Sequence, residues 1–211
     1  MKLQWLGHSC FKITLSNGRV IVTDPYDDTV GYPPLSVSAD IALSSHGHFD
    51  HNYFDAVHGD FEIINQPGEC DRFGAHITGV HSFHDDARGA KRGENVIFSI
   101  EADGLRLVHL GDLGHMPDTP AQEAAIRGAD VLLVPIGGTY TITTPEAVRL
   151  IETYKPRCAV AMHYKNRFCG FPVTDNAEFI RTTGAKTLDN PVDLSSTLPE
   201  GCFVMEYQNA D

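Results

Sequence analysis

A chain of 211 residues, 42% hydrophobic and 21% charged, has ordinary globular composition and enough apolar material for a sizeable core. It holds no apolar run long enough to span a membrane as a helix. The net charge of −12 and isoelectric point near 5.2 disfavour nucleic acid as a partner, because neutralising phosphate takes clustered Lys and Arg, and Arg88, Lys91 and Arg92 are the one local basic group.

The segment Met1 to His8 reads as a strand and lacks the apolar stretch of a signal peptide. Phe11, Ile13 and Leu15 then alternate with Lys12, Thr14 and Ser16. Asn17-Gly18 separates this run from Val20-Ile21-Val22, which is a strong hairpin signal. Gly31-Tyr32-Pro33-Pro34 is a connecting loop, and Ile41-Ala42-Leu43 is an apolar run. The hairpin grammar recurs at Val96 to Ile100, Asp103-Gly104 and Leu105 to Leu110. Each hairpin exits into an aspartate, Asp24 or Asp112, which suggests a pseudo-duplicated pair of sheets.

Helices and strands alternate from there on. Thr119-Pro120-Ala121-Gln122 opens a helix that Gly128 stops. Val131 to Val134 is a buried strand. Thr144-Pro145 opens a second helix with Val148, Ile151 and Tyr154 on one face, ended by Pro156. Cys158 to Met162 is another buried strand that delivers His163, and Thr174 to Thr183 is a third helix, stopped by Gly184. The pattern predicts one α/β domain over residues 1–211 with helices outside.

The chemistry concentrates after Leu43, where Ser44 to His51 spell H-x-H-x-D-H. His46, His48, Asp50 and His51 offer imidazole nitrogen and carboxylate oxygen, which suit divalent transition metals, zinc first. At a strand end His46 and His48 point to one side, and Gly47 lets the backbone approach an ion. Asp50 and His51, past the turn, can face a second ion. Two ions need more ligands than one loop holds, so others come from elsewhere in the chain. Cys10, Cys70, Cys158, Cys169 and Cys202 form no C-x-x-C pair. Their odd number argues for a reducing compartment, read here as the cytoplasm, and against a thiolate zinc site.

With this motif, Leu6-Gly7-His8-Ser9-Cys10-Phe11, Gly111-Asp112-Leu113-Gly114-His115 and Met162-His163-Tyr164-Lys165 resemble the metallo-β-lactamase superfamily, in its branch of small Zn-dependent hydrolases that includes L-ascorbate-6-phosphate lactonase. The resemblance runs nearly end to end. It implies an αββα sandwich of two mixed β-sheets flanked by helices. It implies that His46, His48 and His84 hold one metal, that Asp50, His51 and His163 hold a second, and that Asp112 bridges them, with Asp50 and Asp112 as catalytic carboxylates. Ser82-Phe83-His84-Asp85 before Gly89-Ala90-Lys91-Arg92-Gly93 favours His84 as the third ligand, and His81 is the fallback. The family fold brings His8, His115, Tyr140 and Lys165 near the metals as substrate contacts, Lys165 as an anchor for an anionic group. Asp24 and Asp85 become carboxylates that orient ligand imidazoles. Gly137 to Thr141 reads as a flexible substrate loop. His58, His76 and His109 carry no role in this reading.

The implied cofactors are two divalent ions, zinc first, with manganese, iron and nickel also suiting N/O ligands. They would acidify a shared water toward neutral pH for attack on a small anionic ester, lactone or phosphodiester. A phosphodiesterase or nuclease working with a partner is the alternative, and a non-catalytic metal-binding module is a third class. A di-iron oxidoreductase would favour Glu where His48 stands. A small-molecule substrate is the expected partner, and homo-oligomerisation stays open.

Overall fold

A computed structural model describes residues 1–195 and 197–208. The first strands are β1 (Lys2–Gly7), β2 (Cys10–Thr14) and β3 (Val20–Thr23). After them come β4 (Val37–Ser38), β5 (Ile41–Leu43), β6 (Val57–His58) and β7 (Glu62–Ile64). An antiparallel run follows: β8 (Gly68–Arg72), β9 (Ala75–Phe83), β10 (Glu94–Ala102) and β11 (Leu105–His109). The later elements are α1 (Pro120–Ile126), β12 (Val131–Pro135), α2 (Thr144–Tyr154), β13 (Cys158–Met162), α3 (Ala177–Thr183), β14 (Lys186–Leu188), β15 (Val192–Asp193) and β16 (Gly201–Met205).

Two mixed sheets result. One is six-stranded in the order β15-β1-β2-β3-β5-β7, the other eight-stranded in the order β14-β16-β13-β12-β11-β10-β9-β8. Both hairpins form where the Asn17-Gly18 and Asp103-Gly104 signals place them. Alternation decides what faces inward. In β2, Phe11 and Ile13 are buried while Lys12 and Thr14 are half-buried. Leu3, Trp5, Phe11 and Ile13 of the first sheet join Ile77, Phe98, Ile100 and Leu133 of the second in one apolar cluster between the sheets.

The outer faces differ. Helix α1 lies against β9 and β10, α2 against β12 and α3 against β16, all in the eight-stranded sheet. The 24–35 segment and the two-stranded parallel sheet β4-β6 instead cover the outer face of the six-stranded sheet: Tyr26, Val30, Tyr32, Val37 and Val57 pack on Leu6, Val22 and Ala42. Thr143 and Glu146 cap α2 reciprocally, and Lys155 ends it in the left-handed region. The α2 side chains buried most deeply are Thr144, Ala147 and Leu150, with Val148, Ile151 and Tyr154 half-buried beside them. Helix α3 starts at Ala177 rather than Thr174, because Thr174 is bonded to Gly137 through its backbone N–H and hydroxyl. Strand ends β1, β3, β5, β9, β11 and β13 all run into the loops that carry the site.

Candidate metal centre

The loop after β5 is tied on two sides at its start, ahead of His46. Ser44 N–H donates to the Ile64 carbonyl, and Val96 N–H donates to the Ser45 carbonyl. Asp24, just past β3, accepts from the Ser45 N–H at 2.7 Å, the Ser45 hydroxyl at 2.8 Å and His51 Nδ1 at 2.8 Å. His46 Nδ1 lies 3.0 Å from the same hydroxyl, whose proton is committed to Asp24, so His46 donates there. One carboxylate therefore sets two rings, His51 directly and His46 through Ser45. In both, Nε2 is left free to face inward.

The remaining groups arrive on separate strands. His84 follows β9, and its N–H donates to the Gly93 carbonyl. Asp112 follows β11, and its N–H donates to Asn95 Oδ1 at 2.9 Å. His163 follows β13 and donates its N–H to the carbonyl of His8, which follows β1. Asp112 Oδ2 then stands 3.2 Å from His163 Nε2, 3.3 Å from His51 Nε2 and 3.4 Å from His84 Nε2. His8, Asp24 and His163 have positive φ of 51°, 43° and 51°, so the turns that present them are conformationally costly for such residues.

Three groups of ligand atoms converge: His46, His48 and His84; His8, Asp50, His51 and His163; and His46, His51 and Asp112, with atoms within 4.8 Å of one another in each. His46 Nε2, His51 Nε2, His84 Nδ1, Asp112 Oδ1 and both ring nitrogens of His163 are buried without a hydrogen-bond partner. Unpaired buried polar atoms are expensive, and a cluster of them fits a cation. The donor set, imidazole nitrogen with carboxylate oxygen, is that of divalent transition metals.

Electrostatics prepares these groups as ligands. Burial, then the neighbouring His163, depresses the His8 pKa to about 4. Burial, then His51, keeps His46 well below the ordinary imidazole range, and burial lowers His84. Burial alone would raise Asp50 and Asp112, yet His51 beside the first and His163 and His51 beside the second hold both well below the usual range. Burial would likewise depress His51, but Asp112, Asp50 and Asp24 around it raise its pKa well above normal. Neutral rings and ionised carboxylates are the forms that bind metal, so His46, His84, Asp50 and Asp112 are ready, whereas His51 has to release a proton to bind one.

The structure brings His46, His48, His51, His84, His163, Asp50 and Asp112 together, and it sorts the other expected residues. His81 stays on the flank of β9, half-exposed, 3.4 Å from Glu94, so His84 is the residue that joins the cluster. Tyr140 lines a cavity with His48, His84 and Asp112. His8 is fully buried, bonded to Asp50 at 3.1 Å, with its ring 4.2 Å from that of His163, so it sits inside the cluster rather than on the cavity wall. His115 has both ring nitrogens engaged by the backbone, Nε2 accepting from Phe83 N–H and Nδ1 donating to the Met116 carbonyl. Lys165 Nζ donates one of its three N–H groups to the Phe171 carbonyl and so ties down that loop. Asp24 orients imidazoles, but Asp85 does not: it accepts the N–H groups of Ala87, Gly89, Lys91 and Arg92.

Sequence reasoning gave no individual role to Ser45, Asn95, Arg92, Phe49 and Phe171, which the structure places at or beside the cluster. Phe49 had a signal, an aromatic residue inside the ligand motif, and it is 53% exposed. Asn95 had none. Its amide donates to the Ser82 hydroxyl and the Leu110 carbonyl while its oxygen holds the Asp112 N–H. His109 is more than a spectator as well, since its Nδ1 accepts from the Gly111 N–H just before Asp112.

Sandwiched sheets with this His/Asp cluster at their strand ends define a class, and the chain belongs to the beta-lactamase superfamily: the family's domain model matches residues 2–163. Within it the chain is a metal-dependent hydrolase. It is similar to a crystal structure from Thermotoga maritima assigned as a Zn-dependent hydrolase of the metallo-beta-lactamase superfamily, at 36% identity and TM-score 0.82 over 98% of this chain and 99% of that one. A metal-dependent hydrolase of Carboxydothermus hydrogenoformans is 31% identical over 78% of this chain and 84% of its own length. One of Thermococcus kodakarensis is 28% identical over 88% and 93%. Among the described residues no helix is long and apolar enough to cross a membrane.

Proposed function

We propose that the chain holds two divalent ions and hydrolyses a small anionic ester, lactone or phosphodiester in the cytoplasm. In this reading His46, His48 and His84 hold one ion, Asp50, His51 and His163 hold the other, and Asp112 reaches both. When bound, the ions supply Lewis acidity and acidify a water toward neutral pH. Zinc is the first candidate for this donor set, with manganese, iron and nickel also suited. Asp24 and Ser45 keep Nε2 of His51 and His46 turned inward. His8 backs Asp50 and His163 from inside the protein.

One observation carries the reading: buried nitrogen and oxygen atoms from separate strand ends point at one another with no hydrogen-bond partners. The cavity beside Asp112, about 280 Å³, is sized for a small molecule. The test is elemental analysis of untagged protein followed by a panel of lactones, esters and phosphodiesters. About two metal equivalents per chain are expected, with hydrolysis that a chelator abolishes and added metal restores. Protein that carries no metal and takes up none would overturn the ligand assignment. Full metal without turnover on any of these substrates would overturn the hydrolytic substrate class.

A further inference from the structure

The cavity beside the cluster has two unlike walls. On one side stand His48, His84 and Asp112. On the other Phe49, Phe171 and Tyr140 form a chain of edge-to-face rings, with centroids 6.2 Å apart for Phe49 and Phe171 and 6.1 Å for Phe171 and Tyr140. An exposed phenylalanine is costly to leave in water, and one between His48 and Asp50 gives the cavity an apolar mouth.

Arg92 is the single Lys or Arg among the residues lining this cavity. It also lines the neighbouring cavity of about 440 Å³, with which it shares His48. Its guanidinium lies 5.4 Å from the Tyr140 ring centroid, and Nη2 donates to the Thr139 carbonyl at 3.2 Å. Among the described residues no carboxylate lies within 4.0 Å of it, although it is half-buried. Every other arginine is either exposed or paired with a carboxylate. A guanidinium has five donors in a planar fork, so Arg92 keeps donors to offer.

Its placement is built in. Asp85, next to the ligand His84, accepts the Arg92 N–H at 2.7 Å and those of Ala87, Gly89 and Lys91, which wraps the 85–92 loop around one carboxylate. With a net charge of −12 the chain repels anions in general, and a cation at the site mouth supplies local attraction.

We propose that Arg92 anchors an oxyanion, carboxylate or phosphate, of a substrate whose remaining body is apolar and packs against Phe49, Tyr140 and Phe171. This rests on the hydrolytic reading of the site and narrows its substrate to an amphiphilic anion. Arg92 is thus a specificity-determining residue, and Asp85 is the residue that positions it.

The test is isothermal titration of the protein as purified with 3-phenylpropanoate, its neutral amide, phenyl phosphate and acetate. Wild type is expected to bind the aromatic acid about tenfold or more tighter than the amide, as a charged hydrogen-bonded pair allows. The ratio falls to about one in Arg92→Gln, stays above it in Arg92→Lys, and is retained in Phe171→Ala while both affinities drop. Comparing phenyl phosphate with phenylpropanoate identifies which oxyanion is preferred. Metal content of each variant is measured alongside. An acid preference that persists in Arg92→Gln would place the anion on the metals and overturn the proposal, as would acetate matching phenylpropanoate, or no binding by wild type. Loss of the hydrolytic reading shows separately, as metal-free or inactive wild type with the binding ratio still measurable.

Discussion

Asp24 and Asp112 occupy matching places in the two sheets and do different work. Each follows a tight hairpin, β2–β3 or β10–β11, and each is buried, at 0% and 1% exposure. Asp24 lies beneath the loop that continues β5, the parallel neighbour of β3. That loop presents donors, and the Asp24 oxygens are taken up by a backbone N–H, a hydroxyl and an imidazole N–H. Asp112 instead meets the Nε2 faces of His51, His84 and His163, and its Oδ1 has no partner. His51 spans the two, with Nδ1 on Asp24 and Nε2 3.3 Å from Asp112. The same local grammar thus delivers two buried carboxylates: the hydrogen bonds that fill the Asp24 oxygens fit a brace, and the unpaired Oδ1 of Asp112 among three Nε2 atoms fits the ligand role proposed for it.

Replacing each in turn is the sharpest way to break this comparison. Asp112→Ala is expected to cost more than the roughly 100-fold typical of groups that only orient ligands, in both metal affinity and turnover. Asp24→Ala is expected to cost about 10–100-fold in metal affinity, because His51 loses its partner and His46 loses the brace on Ser45. Ser45→Ala keeps the Asp24–His51 bond and removes only the His46 relay, so its cost should fall below that of Asp24→Ala. Competition titrations with a coloured chelator rank the three. Equal losses for Asp24→Ala and Asp112→Ala would erase the distinction between brace and ligand.

The core of the cluster was legible because its residues are contiguous: His46, His48, Asp50 and His51 sit in six positions, and no folding is needed to see them together. His84, Asp112 and His163 were reached through resemblance, since they lie on three different strand ends that only the fold joins. Hairpins and α2 were legible from Asn-Gly, Asp-Gly and Thr-Pro signals, whose physics is local. What stayed hidden is what depends on neighbours. Sequence does not show that His8 Nε2 meets Asp50, that Phe83 N–H takes His115 Nε2, or that Lys165 spends one N–H on the Phe171 carbonyl. Asn95 was invisible because its partners Ser82, Leu110 and Asp112 are spread over separate strands and loops.

Asp85 extends the comparison to a third aspartate beside the site, one whose partners are backbone N–H groups alone, and it predicts the smallest effect. Burial would raise its pKa, yet the N–H groups of Arg92, Ala87, Lys91 and Gly89 hold it at about 2, below the usual carboxylate value. A carboxylate depressed on folding adds stability above its unfolded pKa of about 3.9 and loses it as the pH falls through the folded value. Asp85→Asn keeps one acceptor oxygen and removes the charge. The stability gap between wild type and this variant, from denaturant titrations, is expected to be about 1.5–3 kcal/mol near neutral pH. It should hold down to about pH 4 and close toward pH 2. Metal content should stay near wild type at neutral pH, because no Asp85 oxygen bonds an imidazole. A gap that widened on acidification, or metal lost at neutral pH, would instead make Asp85 a brace of the same kind as Asp24.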